Sequence, residues 1–159
     1  MKNMVIKGVL LSCALSLLIA CNPKKSETAS VDKEQLKKEI QEKENQFAEQ
    51  YNAAELKDIG YYADDATTFY QNKAPLVGKT AIVEFLISDL ANNSNKISFT
   101  TNEVFPSSDG NQVIEIGSYK VIDSTNMPIN TGNYMVMFEK RDGKYYSVRE
   151  MSASDMPLE

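Results

Sequence analysis

Residues 129–154, with the sequence INTGNYMVMFEKRDGKYYSVREMSAS, decide the fold of this chain. Two runs rich in aromatic and aliphatic residues flank the tripeptide Arg-Asp-Gly at 141–143. An Asp-Gly pair between such runs is a strong signal for a tight hairpin turn. The stretch therefore predicts two antiparallel strands in the C-terminal part of the fold.

Two further strand segments precede this hairpin. Residues 96–105 (KISFTTNEVF) and 113–123 (VIEIGSYKVID) are separated by a turn-forming segment at 107–112 (SSDGNQ). Consecutive strands that are joined by short turns usually pair with each other. Everything after Lys96 is therefore predicted to form a four-stranded antiparallel meander.

The N-terminal half predicts three helices and one strand. The first helix runs from the N-cap Asp32 to about Asn52, because apolar residues recur there at helical spacing among charged ones. A short second helix is predicted at 54–62 and a third at 79–91. Thr and aromatic residues favour a strand at 66–70.

Helices followed by an antiparallel meander define the α+β class. Amphipathic helices need an apolar surface against which to bury their stripes, and a long curved sheet supplies one. We therefore expect a cone-shaped, curved antiparallel sheet wrapped over the three helices of the N-terminal half.

Residues 1–20 have the layout of an export signal, with a positive start, a short apolar centre and the small Ala20 before Cys21. The sequence LIAC at 18–21 resembles the lipobox of bacterial lipoproteins. This resemblance implies that Cys21 is lipidated and is the first residue of the mature protein. A plain secretory signal that leaves Cys21 as a free thiol is the alternative.

Residues 21–30 are polar after the cysteine, contain a proline and lack aromatics, which is typical of a flexible tether. The chain is thus predicted to divide into a lipoprotein signal peptide at 1–20, a tether at 21–30 and one folded domain at 31–157. We expect a lipid-anchored protein of the bacterial cell envelope, facing the periplasm or the surface, in either the inner or the outer membrane.

Composition excludes several kinds of chemistry. The chain has no His, and its two Cys residues lie in the leader and at the lipidation position. A His general base, a Ser-His-Asp triad and a thiolate metal site are therefore excluded from the domain. We expect no metal and no organic cofactor. The formal net charge of −5, without a basic stripe, argues against nucleic-acid binding.

Three segments, in this order, resemble the SnoaL-like and ketosteroid-isomerase-like group of the nuclear transport factor 2-like superfamily. They are YYADDATTF at 61–69, APLVGKTAIVEFL at 74–86 and GNYMVMFEKRDGKYYSVREMSASDMP at 132–157. The resemblance covers about residues 31–157. It implies a cystatin-like fold with a cone-shaped cavity, but members of this group include enzymes and proteins without a known reaction, so the fold does not define the function.

The resemblance does not carry the isomerase machinery over to this chain. The general base of ketosteroid isomerases falls at Tyr70, and a phenol that titrates near 10 is a poor base at neutral pH. Their oxyanion tyrosine falls near Gln46, and their second oxyanion acid falls around Tyr134 and Met135, where no carboxylate stands. Related cyclases and dehydratases rely on His or Asp, so the sequence favours a protein without catalysis.

Two carboxylates remain as weak catalytic candidates. We expect Asp65, with Asp64, to end the second helix and turn the chain into the strand, with a place inside the cone as the alternative. We expect Glu150 on the solvent side of the last strand, paired with Arg149 or Lys140, because strand charges are usually solvated. If Glu150 faced inward, its apolar surroundings would raise its pKa and make it a proton-transfer group.

The aromatic residues favour a ligand cavity. A buried tyrosine hydroxyl needs a hydrogen-bond partner, so several inward tyrosines suit a small, flat, partly polar molecule. The predicted lining consists of Tyr51, Tyr62, Tyr70, Phe85, Tyr119, Asn133 and Tyr134.

Met135 and Met137 alternate with apolar neighbours, so both faces of this strand are apolar and one would be exposed in a monomer. We therefore expect a homodimer through the outer face of the sheet. Three functions stay open. The sequence favours a module that binds a small apolar or aromatic ligand; an isomerase or lyase using Glu150 or Asp65, and a module that binds another protein, are the alternatives.

Overall fold

The computed structural model describes residues 31–157, which form two helices and a six-stranded sheet. In chain order the elements are α1 (Lys33–Asn52), β1 (Tyr62–Phe69), β2 (Leu76–Val77), α2 (Lys79–Asn92), β3 (Lys96–Pro106), β4 (Gln112–Ile122), β5 (Pro128–Arg141) and β6 (Lys144–Ser154). The α+β class is confirmed. The predicted signal peptide, Cys21 and the tether lie outside the described residues. None of the helices in the described range combines the length and the hydropathy of a membrane span.

The sheet has the strand order β2-β1-β6-β5-β4-β3. Strands β3 to β6 form the predicted antiparallel meander, and β1 joins it by pairing parallel with β6. Register shifts interrupt each pair of the meander, and such bulges bend the strands. Helix α1 packs against β3 and α2 packs against β1, so the bent sheet curves around both helices.

Helix α1 forms for the local reasons that the sequence predicts. The carboxylate of Asp32 accepts hydrogen bonds from the backbone N–H groups of Glu34 and Gln35, at 3.0 and 3.1 Å, and so caps the first turn. Its buried apolar residues lie on one stripe. They are Leu36, Ile40, Phe47, Ala48 and Tyr51.

The predicted second helix is wrong. Ala54 adopts a positive φ of 58°, which ends the helical path, and the chain then runs through turns to β1. Asn52 fixes this end of α1 to β3, because its side-chain amide bonds both the N–H and the C=O of Ile97. Leu56 and Ile59 are buried without a helix. A helix of so few residues has too few hydrogen bonds to offset its nucleation.

Asp64 and Asp65 consequently lie within β1 and not at a helix end. Both are exposed. Asp65 forms a bidentate salt bridge with Arg141, with oxygen–nitrogen distances of 2.6 and 3.1 Å. Hydrogen bonding to this guanidinium lowers the pKa of the Asp65 carboxyl. Asp65 therefore links β1 to the end of β5 on the outside of the fold, and the alternative that it acts inside the cone is wrong.

Candidate functional site

A cavity of about 340 Å³ lies between the two helices and the sheet. This volume is at the lower end of the range of about 300–1,000 Å³ that ligand pockets occupy. The aromatic side chains that border it are Phe47, Tyr51, Tyr70, Phe85, Phe99, Tyr119 and Tyr134. The polar ones are Asp89, Asn93, Asn95, Asn130, Glu150 and Ser152. The domain therefore encloses a mainly apolar cavity, rich in aromatic rings, with a few polar groups.

The structure brings most of the predicted lining residues to this cavity. Those that border it are Tyr51, Tyr70, Phe85, Tyr119 and Tyr134. Tyr62 does not, because its side chain is fully buried within the core. Asn133 does not either, because it precedes the buried Tyr134 on β5 and neighbouring strand residues face opposite sides. The predictions that Tyr62 and Asn133 line the cavity are therefore wrong.

Glu150 borders the cavity, so the expectation of a solvated surface pair is wrong. The register between β5 and β6 shifts at Val148, which is an extra residue without a β5 partner. One extra residue reverses the alternation of all residues that follow it. Arg149 is exposed as a result, and Glu150 turns inward.

The surroundings of Glu150 change its acidity. Burial raises the pKa of its carboxyl to about 7, the Tyr62 hydroxyl opposes that rise, and the charge of Glu115 adds to it. The Oε2 atom is buried and has no partner within hydrogen-bond geometry among residues 31–157. At neutral pH this carboxyl is therefore divided between its acid and its ionised form, which is the state that a proton-transfer group requires.

Two more carboxyl groups lie in the core, and neither is among the residues predicted for the site. Glu44 on α1 accepts a hydrogen bond from the Tyr61 hydroxyl at 2.5 Å. Glu115 on β4 accepts hydrogen bonds from the hydroxyls of Thr101 and Tyr134, at 2.6 and 2.8 Å. Burial raises the pKa of both carboxyls, and the charge of Glu115 raises that of Glu44 further. Burial therefore favours the protonated form of Glu44.

The sequence contains a clear signal that Glu44 is buried, a weak one for Glu115 and none for Glu150. Glu44 follows Ile40 by four residues, which places it on the buried stripe of α1. Glu115 lies in VIEIG at 113–117, where both faces of the strand are apolar, so alternation does not reveal which face is inside. Nothing local signals the bulge that turns Glu150 inward.

Hydrogen bonds orient the polar parts of the aromatic wall. The Tyr51 hydroxyl donates to the carboxylate of Asp89 at 2.6 Å and ties α1 to α2. The Tyr134 hydroxyl donates to Glu115 behind the wall. Burial and the neighbouring acids raise the pKa of both phenols, which keeps them protonated. The cavity is thus bordered by rings whose hydroxyl groups have set directions.

No protein-family model matches this sequence, and no curated protein matches it. Solved structures do match. A cystatin-like protein of unknown function from Nostoc punctiforme PCC 73102 has a TM-score of 0.65 at 14% identity, with 77% of this chain and 92% of that chain covered. A nuclear transport factor 2-like protein of unknown function from Pseudomonas putida KT2440 has a TM-score of 0.64 at 14% identity, with coverages of 79% and 91%.

A ketosteroid isomerase-like protein from Erwinia carotovora atroseptica SCRI1043 has a TM-score of 0.60 at 14% identity, with 76% of this chain and 96% of that chain covered. Identities this low show the fold alone. Residues 31–157 therefore have the cystatin-like, nuclear transport factor 2-like fold that the sequence resemblance implied.

Proposed function

We propose that this chain is a lipid-anchored envelope protein whose domain binds a small, mainly apolar or aromatic molecule in the cavity. The observation that carries the proposal is the cavity itself. Its volume of about 340 Å³, its aromatic wall and its few convergent polar groups are the features of a small-molecule site. The anchor is the lipid expected on Cys21, and the polar residues 22–30 would hold the domain away from the membrane.

Filling the cavity tests this proposal. Val121 on β4 borders the cavity, so Val121→Trp should occupy the space that a ligand needs. Val77→Trp is the matched control, because Val77 is 70% exposed and lies away from the cavity. Native mass spectrometry of protein purified from its host should show a bound molecule on the wild type and on Val77→Trp, and none on Val121→Trp. A bound molecule that persists in Val121→Trp would show that the cavity is not the site.

The position of Glu150 supports a second candidate function, an isomerase or lyase of the ketosteroid-isomerase-like kind. A carboxyl with a pKa of about 7 inside an apolar cavity suits a general base at neutral pH. It would take a proton from a carbon next to a carbonyl group and return it elsewhere on the same substrate.

Spectrophotometry with a β,γ-unsaturated ketone tests this second function. General acid–base catalysis contributes about 10²–10⁴-fold, so Glu150→Gln should reduce the rate of isomerisation by at least about 100-fold. Asp65→Asn is the control, because Asp65 is exposed and bound to Arg141. An inactive wild type, or activity that survives Glu150→Gln, would reject this function.

The outer face of the sheet supports a homodimer. Phe69, Ile114, Met135 and Met151 border one apolar depression there, and each is between 40% and 54% exposed. Contiguous exposed apolar residues are typical of association sites. A second copy of this chain would bury them, and binding of a different protein is the alternative. A monomeric mass in solution would favour the different partner.

A further inference from the structure

The charged groups at the cavity are of one sign. Asp89 on α2 and Glu150 on β6 border it, whereas no Lys or Arg within residues 31–157 does. The faces of aromatic rings carry negative partial charge, and aromatic residues are the largest group in the wall. The cavity therefore combines the two features that attract a cation: acidic side chains and ring faces.

A tyrosine hydroxyl that borders the cavity also favours a ligand with N–H groups. A phenol has one proton to donate. Tyr51 gives its proton to Asp89, and Tyr134 gives its proton to Glu115. The Tyr134 hydroxyl lies behind the wall, so the remaining lone pairs of the Tyr51 oxygen are the ones that can accept hydrogen bonds from a ligand. A ligand that brings N–H donors fits them better than a ligand that brings acceptors.

Glu150 supplies an independent observation. Its Oε2 atom is buried and unpartnered among the described residues. An ionised carboxylate in such surroundings is unfavourable unless an opposite charge or a donor pairs with it. The neighbouring Tyr62 hydroxyl offers a neutral donor, and no Lys or Arg within residues 31–157 borders the cavity, so a cationic ligand would supply the opposite charge.

One ring of the wall has an ammonium group of the chain itself near its face. The Lys73 Nζ atom lies 4.8 Å from the centroid of the Phe85 ring, within the range of a cation–π contact. Phe85 also borders the cavity, and its centroid lies 4.9 Å from that of Tyr70. The charge of Lys73, close to the wall, would repel a bound cation weakly.

We infer that the cavity takes a small organic cation, a protonated or quaternary amine on an aromatic or apolar body, whose charge is held by the cavity carboxylates and the ring faces. This inference rests on the proposed binding function and narrows the class of ligand. A neutral molecule would use the rings alone. An anion would meet two acidic side chains, and the basic side chain near the wall, that of Lys73, is exposed and lies over the Phe85 ring.

The affinity for such a cation should rise with pH. Glu150 has a pKa of about 7, and the titratable groups that it faces are carboxyls and phenols, which carry no positive charge. These neighbours are Glu44 on α1, Tyr61 and Tyr62 at the start of β1, Tyr70 after β1 and Glu115 on β4. As the pH rises from 6 to 8, Glu150 gains its charge and the attraction for a cation grows. A neutral ligand has no such dependence.

Calorimetric titration with three matched probes tests the inference: 2-phenylethylamine, 2-phenylethanol and 3-phenylpropionate share a ring and differ in charge. At pH 8 the amine should bind the wild type at least about tenfold more tightly than the alcohol, and the carboxylate should bind most weakly. Glu150→Gln should remove most of the preference for the amine. Glu103→Gln, an exposed carboxylate on β3, should leave it unchanged.

Lys73→Gln, at an exposed position, tests the inference in the opposite direction from Glu150→Gln because it removes a positive charge. It should strengthen binding of the amine and leave binding of the alcohol unchanged, which keeps the inference testable if Glu150→Gln does not fold. Equal affinities for amine and alcohol, or tightest binding of the carboxylate, would overturn the inference and leave the binding function intact. Absence of binding by all three probes would also overturn it. The binding function fails only if host-purified protein has an empty cavity as well.

Discussion

The wild type should lose stability as the pH rises, because Glu150 must then ionise inside the fold. Glu150→Gln, which cannot ionise there, should not show this part of the loss. The ordinary pKa of this carboxyl is 4.5, and burial raises it to about 7 in the folded protein. The folded state therefore holds this proton more tightly than the unfolded state does. The stabilisation that comes from the protonated Glu150 carboxyl is complete at low pH, and it is lost as the pH rises from about 4.5 to about 7. At about 1.4 kcal/mol per pH unit, the loss amounts to about 3 kcal/mol of the free energy of unfolding.

Urea unfolding of the wild type and Glu150→Gln at pH 5 and pH 8 measures this effect. About 2.5 kcal/mol of the loss falls between these two pH values. Glu44 and Glu115 also have raised pKa values and act in the same direction, but they are present in both proteins. The charge of Glu150 raises the pKa of Glu44, so its removal also weakens that contribution, and the fall in stability should be at least about 2.5 kcal/mol smaller in Glu150→Gln. Glu103→Gln should behave as the wild type, and an equally large fall in Glu150→Gln would refute the assignment.

Three further predictions concern packing, assembly and the anchor. A Cβ atom added at Gly117 would lie 2.3 Å from the Tyr134 ring, so Gly117→Ala should lower the free energy of unfolding by about 1–3 kcal/mol. Gly60→Ala has open space around its Cβ, and an equal loss there would contradict the reasoning. Met135→Glu should convert a dimer to a monomer in analytical ultracentrifugation, and an unchanged mass would reject the outer face as the interface. Cys21→Ser should abolish fatty-acid labelling of the full chain in its host, and persistent label would exclude Cys21 as the lipid site.

The parts of the fold that were predicted correctly depend on neighbours in sequence. The stripe of α1 repeats every three to four residues, and Asp32 caps the helix through backbone groups two and three residues away. The last hairpin turns at Asp142 and Gly143, which both adopt positive φ angles, of 52° and 77°. Asp and Gly tolerate such angles better than most residues, so the turn is visible in the sequence.

The error at Asn133 was avoidable. Asn133 and Tyr134 are adjacent on one strand, so both cannot border the same cavity. The second helix failed for a different reason. Leu56 and Ile59 have helical spacing and are buried, but the contacts that bury them come from the rest of the fold and do not require a helix.

The sequence by itself determined the α+β class, the first and last helices, the meander and most of the aromatic wall, because these follow from repeats of two and of 3.6 residues. Only the tertiary structure decided where the acids lie. Val148 has no partner on β5, and this single extra residue places Glu150 inside and Arg149 outside. Pairing between strands sets that register, and it depends on residues far apart in the chain. The character of the cavity is therefore a property of the folded sheet.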